Sequence, residues 1–511
     1  MPNDFWHELD DGVLPADIFE SKKKPGIQQK GRMIDLGIDA KRANNMPRDF
    51  HRATKQQDIV KEEKSPREFW PKARKLSKKL LFSTIIILSF GLISISGLKY
   101  FGKQSLGEKI AFWNLFKNGK YLVLFQNNTE LRASGGFLGS FAVMDLKDGK
   151  VEKIYVDTNI YKRDNDFVWN QGNRIEPPSP IKKAFGNDNW WAMRDSNWYV
   201  DFSQGADKVA WFYQQEGGEK VDGVIALNTT VMTDLLKLTG PIAMPQYNLT
   251  VDNNNFLTEV QYQVEKGYYQ NIQGEVTNEP KTVLKDMLPL LMEKVNKMPD
   301  KSQLLDFLGK ELREKNIMVK FNNDDLQKIA LDENWAGTVW PNKKNVDYLQ
   351  INHSNLGVNK SSLNVSQTAF YSIQKNNGKL TGELSITREH QGTYNWPDGD
   401  NVNWTRILVS DGAQLVSAKE NNSDITGEIA VSKEADKTVF AFWYKTNVGS
   451  KTNINIKYNL PFYVESAEGY ELDLQKQSGI LGDSYKVQFM DQVIFNGLLD
   501  SDKKLNAESQ K

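Results

Sequence analysis

The sequence predicts a layered α/β domain followed by an all-β, immunoglobulin-like sandwich, both carried behind a single N-terminal transmembrane helix. Three observations predict it. Short apolar runs alternate with helix-period segments between residues 119 and 341. From about residue 345 the texture changes to β-branched runs separated by Gly, Asn and Asp turns. Residues 80–98, LLFSTIIILSFGLISISGL, form nineteen positions without a charge, and at 1.5 Å per residue such a run spans close to the ~30 Å hydrocarbon core of a bilayer.

The N-terminal tail, 1–79, shows no sustained period and contains KKKPG, NNMPRDF and KSPREFWPKARK, the composition of a mostly disordered cytoplasmic segment. It holds 18 Lys and Arg against 13 Asp and Glu. Lys64, Arg67, Lys72, Arg74, Lys75, Lys78 and Lys79 precede the apolar run, whereas Lys99, Lys103 and Lys109 follow it. The asymmetry predicts a cytoplasmic N-terminus and an extracytoplasmic bulk from residue 99 onward, on a cell membrane in single-pass topology. Residues 99–118 are expected as a connector.

Within 119–341, residues 121–126 (YLVLFQ) read as a buried strand, and NNTELRASGG as a loop. Residues 137–145 and 151–157 flank Asp148-Gly149 and predict a hairpin. A helix over 207–214, a buried strand VDGVIAL at 221–227 and a short helix over 229–239 closed by Gly240-Pro241 follow. Val283, Leu284, Met287, Leu288, Leu291 and Val295 repeat at three- and four-residue steps after Pro280, with Pro289 inside the helix they predict. A helix at 302–313, a strand at 317–321 and a helix from Asn323 complete the domain. LNVSQTAFYSI, GKLTGELSITREH, TRILVSDGAQLVSA, TVFAFWYKT and TNINIKYNLPF carry the sandwich over 342–500, and 501–511 is expected as a polar tail.

Composition narrows the chemistry. Sixty-five basic and 65 acidic residues cancel, so no overall basic field exists for nucleic acid. The absence of cysteine removes thiol nucleophiles, disulfides and cysteine-bound metals, and four scattered histidines disfavour a triad or a His-rich centre. No Walker loop, HExxH or GxSxG stands in a convincing context. The candidate ligand site is the loop holding Asn127, Glu130, Arg132, Gly135 and Gly136, because a guanidinium fork beside a Gly-rich turn can approach an anion; Arg163 and Arg194 are second contacts. A Glu130–Arg132 ion pair with glycines that only admit a tight turn is the structural alternative. RDSNWYVD supplies Arg194, Asp195, Asn197 and Asp201. With Asp157, the carboxylates of Asp195 and Asp201 have the oxygen chemistry Mg²⁺ takes, while capping and turn formation are the alternative. Trp190, Trp191, Trp198 and Trp211 stand beside this cluster as core residues or as a sugar-stacking surface. Asn355, Gly357, Asn359 and Lys360 lie between the two domains, placed to lock their angle.

YLVLFQNNTELRASGGFLGSFAVMDLKDGKV, RDSNWYVDF, VDGVIALN, LLKLTGPI, INHSNLGVNKSSLNV, YNLPF and LDLQKQSG together resemble the bacterial domain-of-unknown-function family 4012, in order, from about residue 119 to 482. That resemblance implies a membrane-anchored envelope protein without an assigned activity. More distantly, the element order resembles the LytR–CpsA–Psr family, which moves glycopolymers from a polyprenyl pyrophosphate lipid to the cell wall. That resemblance places Asn127 where those enzymes carry an Asp, Arg132 at a phosphate-clamping Arg, Arg163-Asp164 at an Arg-Asp pair and Lys281 near an Arg-rich helix start. The first acid is Asn127 here, and the Arg-rich signature is missing. The expected function is an extracytoplasmic envelope protein binding a glycan, lipid or protein, with Mg²⁺-assisted glycopolymer transfer as the alternative.

Overall fold

The computed structural model describes residues 114–265, 282–300, 302–376, 379–464 and 469–507. The tail 1–79, the apolar run 80–98, most of the connector and Lys281 lie outside the described residues. Among the described residues, 114–507 with the gaps given, no helix is long and apolar enough to cross a membrane.

The chain enters through β1 (Gly119–Arg132), β2 (Gly135–Lys147) and β3 (Lys150–Asp157), paired antiparallel in succession. Asp148 and Gly149 both have positive φ, 50° and 72°, the geometry a two-residue hairpin turn needs to match strand twist. Next come α1 (Ile160–Asn165), capped by Asn159 and continued by a π-helical turn at Asp166–Asn170, then α2 (Ser179–Phe185) and a 3₁₀ turn at Met193–Asp195. α3 (Phe202–Gln215) starts on the Asp201 cap, whose side chain accepts from Gln204 N. β4 (Gly223–Asn228) and α4 (Thr229–Thr239) follow, then the small hairpin of β5 (Ile242–Met244) and β6 (Leu249–Val251). α5 (Phe256–Glu265), α6 (Thr282–Lys297, with Pro289 inside), α7 (Ser302–Arg313), β7 (Ile317–Phe321) and α8 (Asp324–Asp332, capped by Asn323) close this part.

The five strands lie in the order β3-β2-β1-β4-β7, with only β1 and β4 parallel. Side chains of a strand alternate between faces, and the two faces bury two separate cores. Leu122, Leu124, Val224 and Ala226 meet Val209 and Phe212 of α3 together with Trp191. Tyr121, Val123, Ile225 and Leu227 meet Leu308 and Leu312 of α7 and Leu326 and Ala330 of α8. β4 is buried at all six positions, so its sequence is a continuous apolar run ended by Asn228.

Two further sheets share one core. The seven-stranded sheet contains β9 (Val365–Asn376), β10 (Lys379–His390), β12 (Gln414–Glu420), β13 (Ser423–Asp424), β16 (Lys451–Asn459), β18 (Asp483–Phe489) and β19 (Gln492–Leu499), in the order β13-β12-β16-β10-β9-β18-β19. The six-stranded sheet runs β14-β15-β11-β8-β17-β20, from β8 (Val346–Asn355), β11 (Asn401–Val409), β14 (Ala430–Glu434), β15 (Lys437–Thr446), β17 (Glu471–Gln475) and β20 (Lys503–Asn506). Leu349, Ile351, Ile407 and Phe440 of one sheet pack with Tyr371, Leu384, Ile456 and Val487 of the other.

Two expectations are corrected here. An immunoglobulin-like sandwich is purely antiparallel, whereas β8 pairs parallel with β17 and β9 parallel with β18. β17 runs alongside β8, and both segments then cross to the opposite sheet, into β18 and β9, so the second pair is parallel as well. The expected polar tail contains β20, paired antiparallel with β17. Its lysines hide the fact that Leu505 packs against the sandwich core and Ala507 is buried.

The outer face of the six-stranded sheet is covered as well. Tyr348, Leu408, Val439 and Ala441 pack on Ala133, Val200 and Val339 of the α/β part. β8 is therefore buried at nine of its ten positions, polar residues included.

Candidate functional site

The segment read as a loop and anion cradle is a strand hairpin instead, the end of β1 and the start of β2 with its turn at Ala133-Ser134, and it seats the junction between the two parts. Asn127 turns the backbone locally, its Oδ1 accepting from Thr129 N at 3.2 Å and Thr129 Oγ1 at 2.7 Å. Arg132 is 2 % exposed. It donates to Glu130 at 2.8 Å and to the Asn355 carbonyl at 2.5 Å, and its guanidinium sits 5.2 Å from the Phe137 ring centre. Glu130 also receives Lys360 Nζ at 2.9 Å. Burial by itself would raise the Glu130 pKa, but Lys360 and Arg132 together hold it below its ordinary value. The carbonyls of the turn are clasped by amides from three directions: Gln477 donates to Arg132 O at 3.0 Å, Asn352 to Ala133 O at 2.9 Å and Asn197 to Gly136 O at 2.7 Å.

Gly135 and Gly136 serve close packing. Gly135 has φ +133°, and a Cβ there would stand 2.2 Å from Gln126 Oε1; at Gly136 it would stand 2.2 Å from the Asn127 carbonyl carbon. Gly135→Ala is expected to lower unfolding stability by ~1–3 kcal/mol or more, read from denaturant melts. An unchanged midpoint would show that the turn has room.

The second cluster is also consumed by its own pairing. Arg194 donates to Asp164 at 2.9 Å and to Asn189 at 3.0 Å, and lies 3.4 Å from Asp195. Arg163 reaches Asp157 at 3.5 Å and the Glu216 carbonyl at 2.7 Å, over the rings of Phe141 and Tyr213. Asp201 caps α3 and accepts from Val339 N at 3.0 Å. Asp157, Asp195 and Asp201 thus go to three separate tasks. Among the described residues no three His, Asp or Glu side chains group in a way that could hold a metal ion, which corrects the expected Mg²⁺ set.

These pairs join into one line of alternating charge: Lys360, Glu130, Arg132, Asp195, Arg194 and Asp164, with 3.9 Å between Arg132 and Asp195. Its far end meets Glu216, at the C-terminal cap of α3. No motif pointed to Glu216, because a Glu before Gly-Gly reads as an exposed helix end. Sequence reasoning also missed Asp502. One of its oxygens accepts from Lys315 at 2.7 Å, Gln475 at 2.9 Å and Asn334 at 3.0 Å, and the other accepts from Lys476 N at 2.8 Å. Lys360 and Asn355 do bridge the two parts, as their position between domains suggests.

What remains open to solvent is aromatic. Trp169 is 51 % exposed, and Arg174 lies 5.6 Å from its ring centre and 6.0 Å from that of half-buried Trp190. Tyr161 is 47 % exposed beneath Arg194, at 5.5 Å. Trp191 and Trp198 are core residues.

Residues 117–264 match the family described as protein of unknown function (DUF4012). No curated protein matches the sequence. Among solved structures, a putative nutrient binding protein from Legionella pneumophila shares 6 % identity over 22 % of this chain and 50 % of its own, with a TM-score of 0.16. An M1 zinc metallopeptidase from Deinococcus radiodurans shares 12 % over 28 % and 39 %, at 0.15, and yeast LTA4 hydrolase in complex with bestatin 6 % over 29 % of each chain, at 0.16. The chain spans half or less of the length of each, and likenesses this shallow carry no argument. Through the segment that runs from β1 into α5, the chain matches the DUF4012 family of unknown function.

Proposed function

We propose that this protein is a single-pass, membrane-tethered binding protein of the cell envelope, with both folded parts outside and its α/β part presenting an aromatic and guanidinium surface to an envelope glycan. The observation that carries the reading is Arg174 held between the rings of Trp169 and Trp190 at the surface. Indole faces pack on the apolar faces of sugars, and a guanidinium donates to hydroxyl or acidic substituents. The uncharged run 80–98 with its basic N-terminal flank supports the tether and its direction. The alternative, glycopolymer transfer from a polyprenyl pyrophosphate, requires an accessible Arg132 and has no support from the packing around it.

Binding of isolated cell-wall glycan to the purified protein tests the reading. Trp169→Ala is expected to weaken it about tenfold, since burying one large side chain is worth ~1.5–3 kcal/mol, with the melting temperature unchanged. Arg174→Ala is expected to weaken it by a smaller factor. Unaltered binding in both variants would sink the proposal.

A further inference from the structure

Asp164 and Glu216 meet side chain to side chain inside the α/β part, both buried. Each has one oxygen already engaged: Asp164 Oδ2 accepts from Arg194 at 2.9 Å, and Glu216 Oε1 accepts from Met193 N at 3.1 Å. The two remaining oxygens, Asp164 Oδ1 and Glu216 Oε2, are buried and have no donor. Two carboxylates offer acceptors only, so a bond between them needs a hydrogen on one of them. Charge gives the same count. Along the line, Lys360, Arg132 and Arg194 supply three positive charges, while Glu130 and Asp195 supply two negative ones. A single negative charge on the Asp164–Glu216 pair makes the buried line neutral.

We propose that Asp164 and Glu216 share one proton, and that this proton is a pH-sensitive lock seating α1 and its π-helical turn against the C-terminal end of α3. Loss of the proton to solvent leaves two buried anions side by side. The charged and titratable groups that face them are Arg194 and Asp195 on the 3₁₀ turn and Arg163 on α1, whose guanidinium is committed to Asp157 and to the Glu216 carbonyl; Tyr213 of α3 lies under Arg163. Arg194 on the Asp164 side and Arg163 on the Glu216 side answer the added charge, and both already serve other carboxylates, Asp195 and Asp157. Burial raises the pKa of both carboxyls, to about 6 for Asp164 and about 9 for Glu216; Asp164 raises Glu216 further, whereas for Asp164 the neighbouring Arg194 and the hydrogen bond with Glu216 work against burial and Asp195. A raised folded pKa means that the folded state keeps a proton the opened state releases, so protection is complete in acid and is lost as pH rises. The segment so released carries Tyr161, Arg163 and Trp169, and alkalinisation would loosen that surface.

Amide hydrogen exchange on the full-length protein tests this without any glycan, so its failure is separate from a failure of the binding proposal. Protection factors over residues 160–170, corrected for intrinsic exchange, are expected to fall about tenfold per pH unit between about pH 6 and about pH 8, the slope of one linked proton, while the amides of β10 stay flat. Glu216→Gln and Asp164→Asn replace the shared proton with a permanent amide donor, and in either variant the slope is expected to vanish. A flat wild-type profile overturns the proposal, and so does an unchanged slope in a folded variant. Should neither variant fold, the wild-type slope at 160–170 against β10 decides by itself.

Discussion

Asp502→Ala is expected to destabilise the protein by ~3–5 kcal/mol, the cost of removing one partner from a buried ion pair. The Asp502 side chain is 1 % exposed and that of Lys315 3 %. Removing the carboxylate strands the Lys315 ammonium in the interior and takes the acceptor from Asn334, Gln475 and the backbone N–H of Lys476. Those four donors belong to the turn after α7, the loop after α8 and the end of β17 with the residue after it, so the Asp502 side chain ties the α/β part to the sheet. Asp502→Asn keeps an acceptor oxygen but loses the charge, and should retain part of the stability. Burial would raise the Asp502 pKa, but Lys315 and the side-chain hydrogen bonds hold it below the ordinary value. The sign then follows: the folded state releases this proton more readily than the unfolded chain, so the contribution is present at neutral pH and is lost as pH falls through the acid range. Urea titrations at neutral and acid pH read both effects. A loss under about 1 kcal/mol at neutral pH would show that water replaces the carboxylate at little cost.

Arg132→Ala is expected to cost a similar ~3–5 kcal/mol and to leave glycan affinity unchanged in whatever fraction stays folded. Arg132 bridges Glu130 and the Asn355 carbonyl across the junction and stands next to Asp195 in the charged line. Arg132→Lys should recover only part of the stability, because one ammonium cannot span both partners as the guanidinium fork does. Arg132→Met, which fills the space and supplies no charge, separates lost packing from lost pairing. Paired measurement of melting temperature and glycan binding on the same preparations decides the role. Weakened affinity without destabilisation would return Arg132 to the anion-binding role that its place beside Gly135-Gly136 suggests.

The contrast between the Glu130–Arg132 pair and the regular elements around it shows what could be read in advance. β2, the Asp148-Gly149 turn and β3 follow from alternating apolar residues and a dipeptide suited to positive φ. α4, α7 and β7 follow from three- and four-residue steps and short apolar runs, with Gly240 ending α4. These features are local, because periodicity and turn chemistry are carried by neighbours in the chain. The fate of the polar residues between them is not local. The Glu130–Arg132 pair has the same composition whether it faces solvent, a phosphate or Lys360, and only the arrival of β8 and the segment 476–482 buries it.

By itself, then, the sequence determined the β2–β3 hairpin, α3, β4, α4, α6, α7 and β7 in order and the change from mixed α/β to β-only structure near residue 345, since each rests on spacing within a dozen residues, but not α1, α2, α5, the β5–β6 hairpin or β20. Tertiary structure decided which charges meet. Asp157, Asp195 and Asp201 look like a metal set in one dimension and serve an arginine, the charged line and a helix cap in three. Glu216 and Asp502, unremarked in the chain, become buried partners because an interior of low dielectric makes any uncompensated charge costly and draws together groups far apart in the chain.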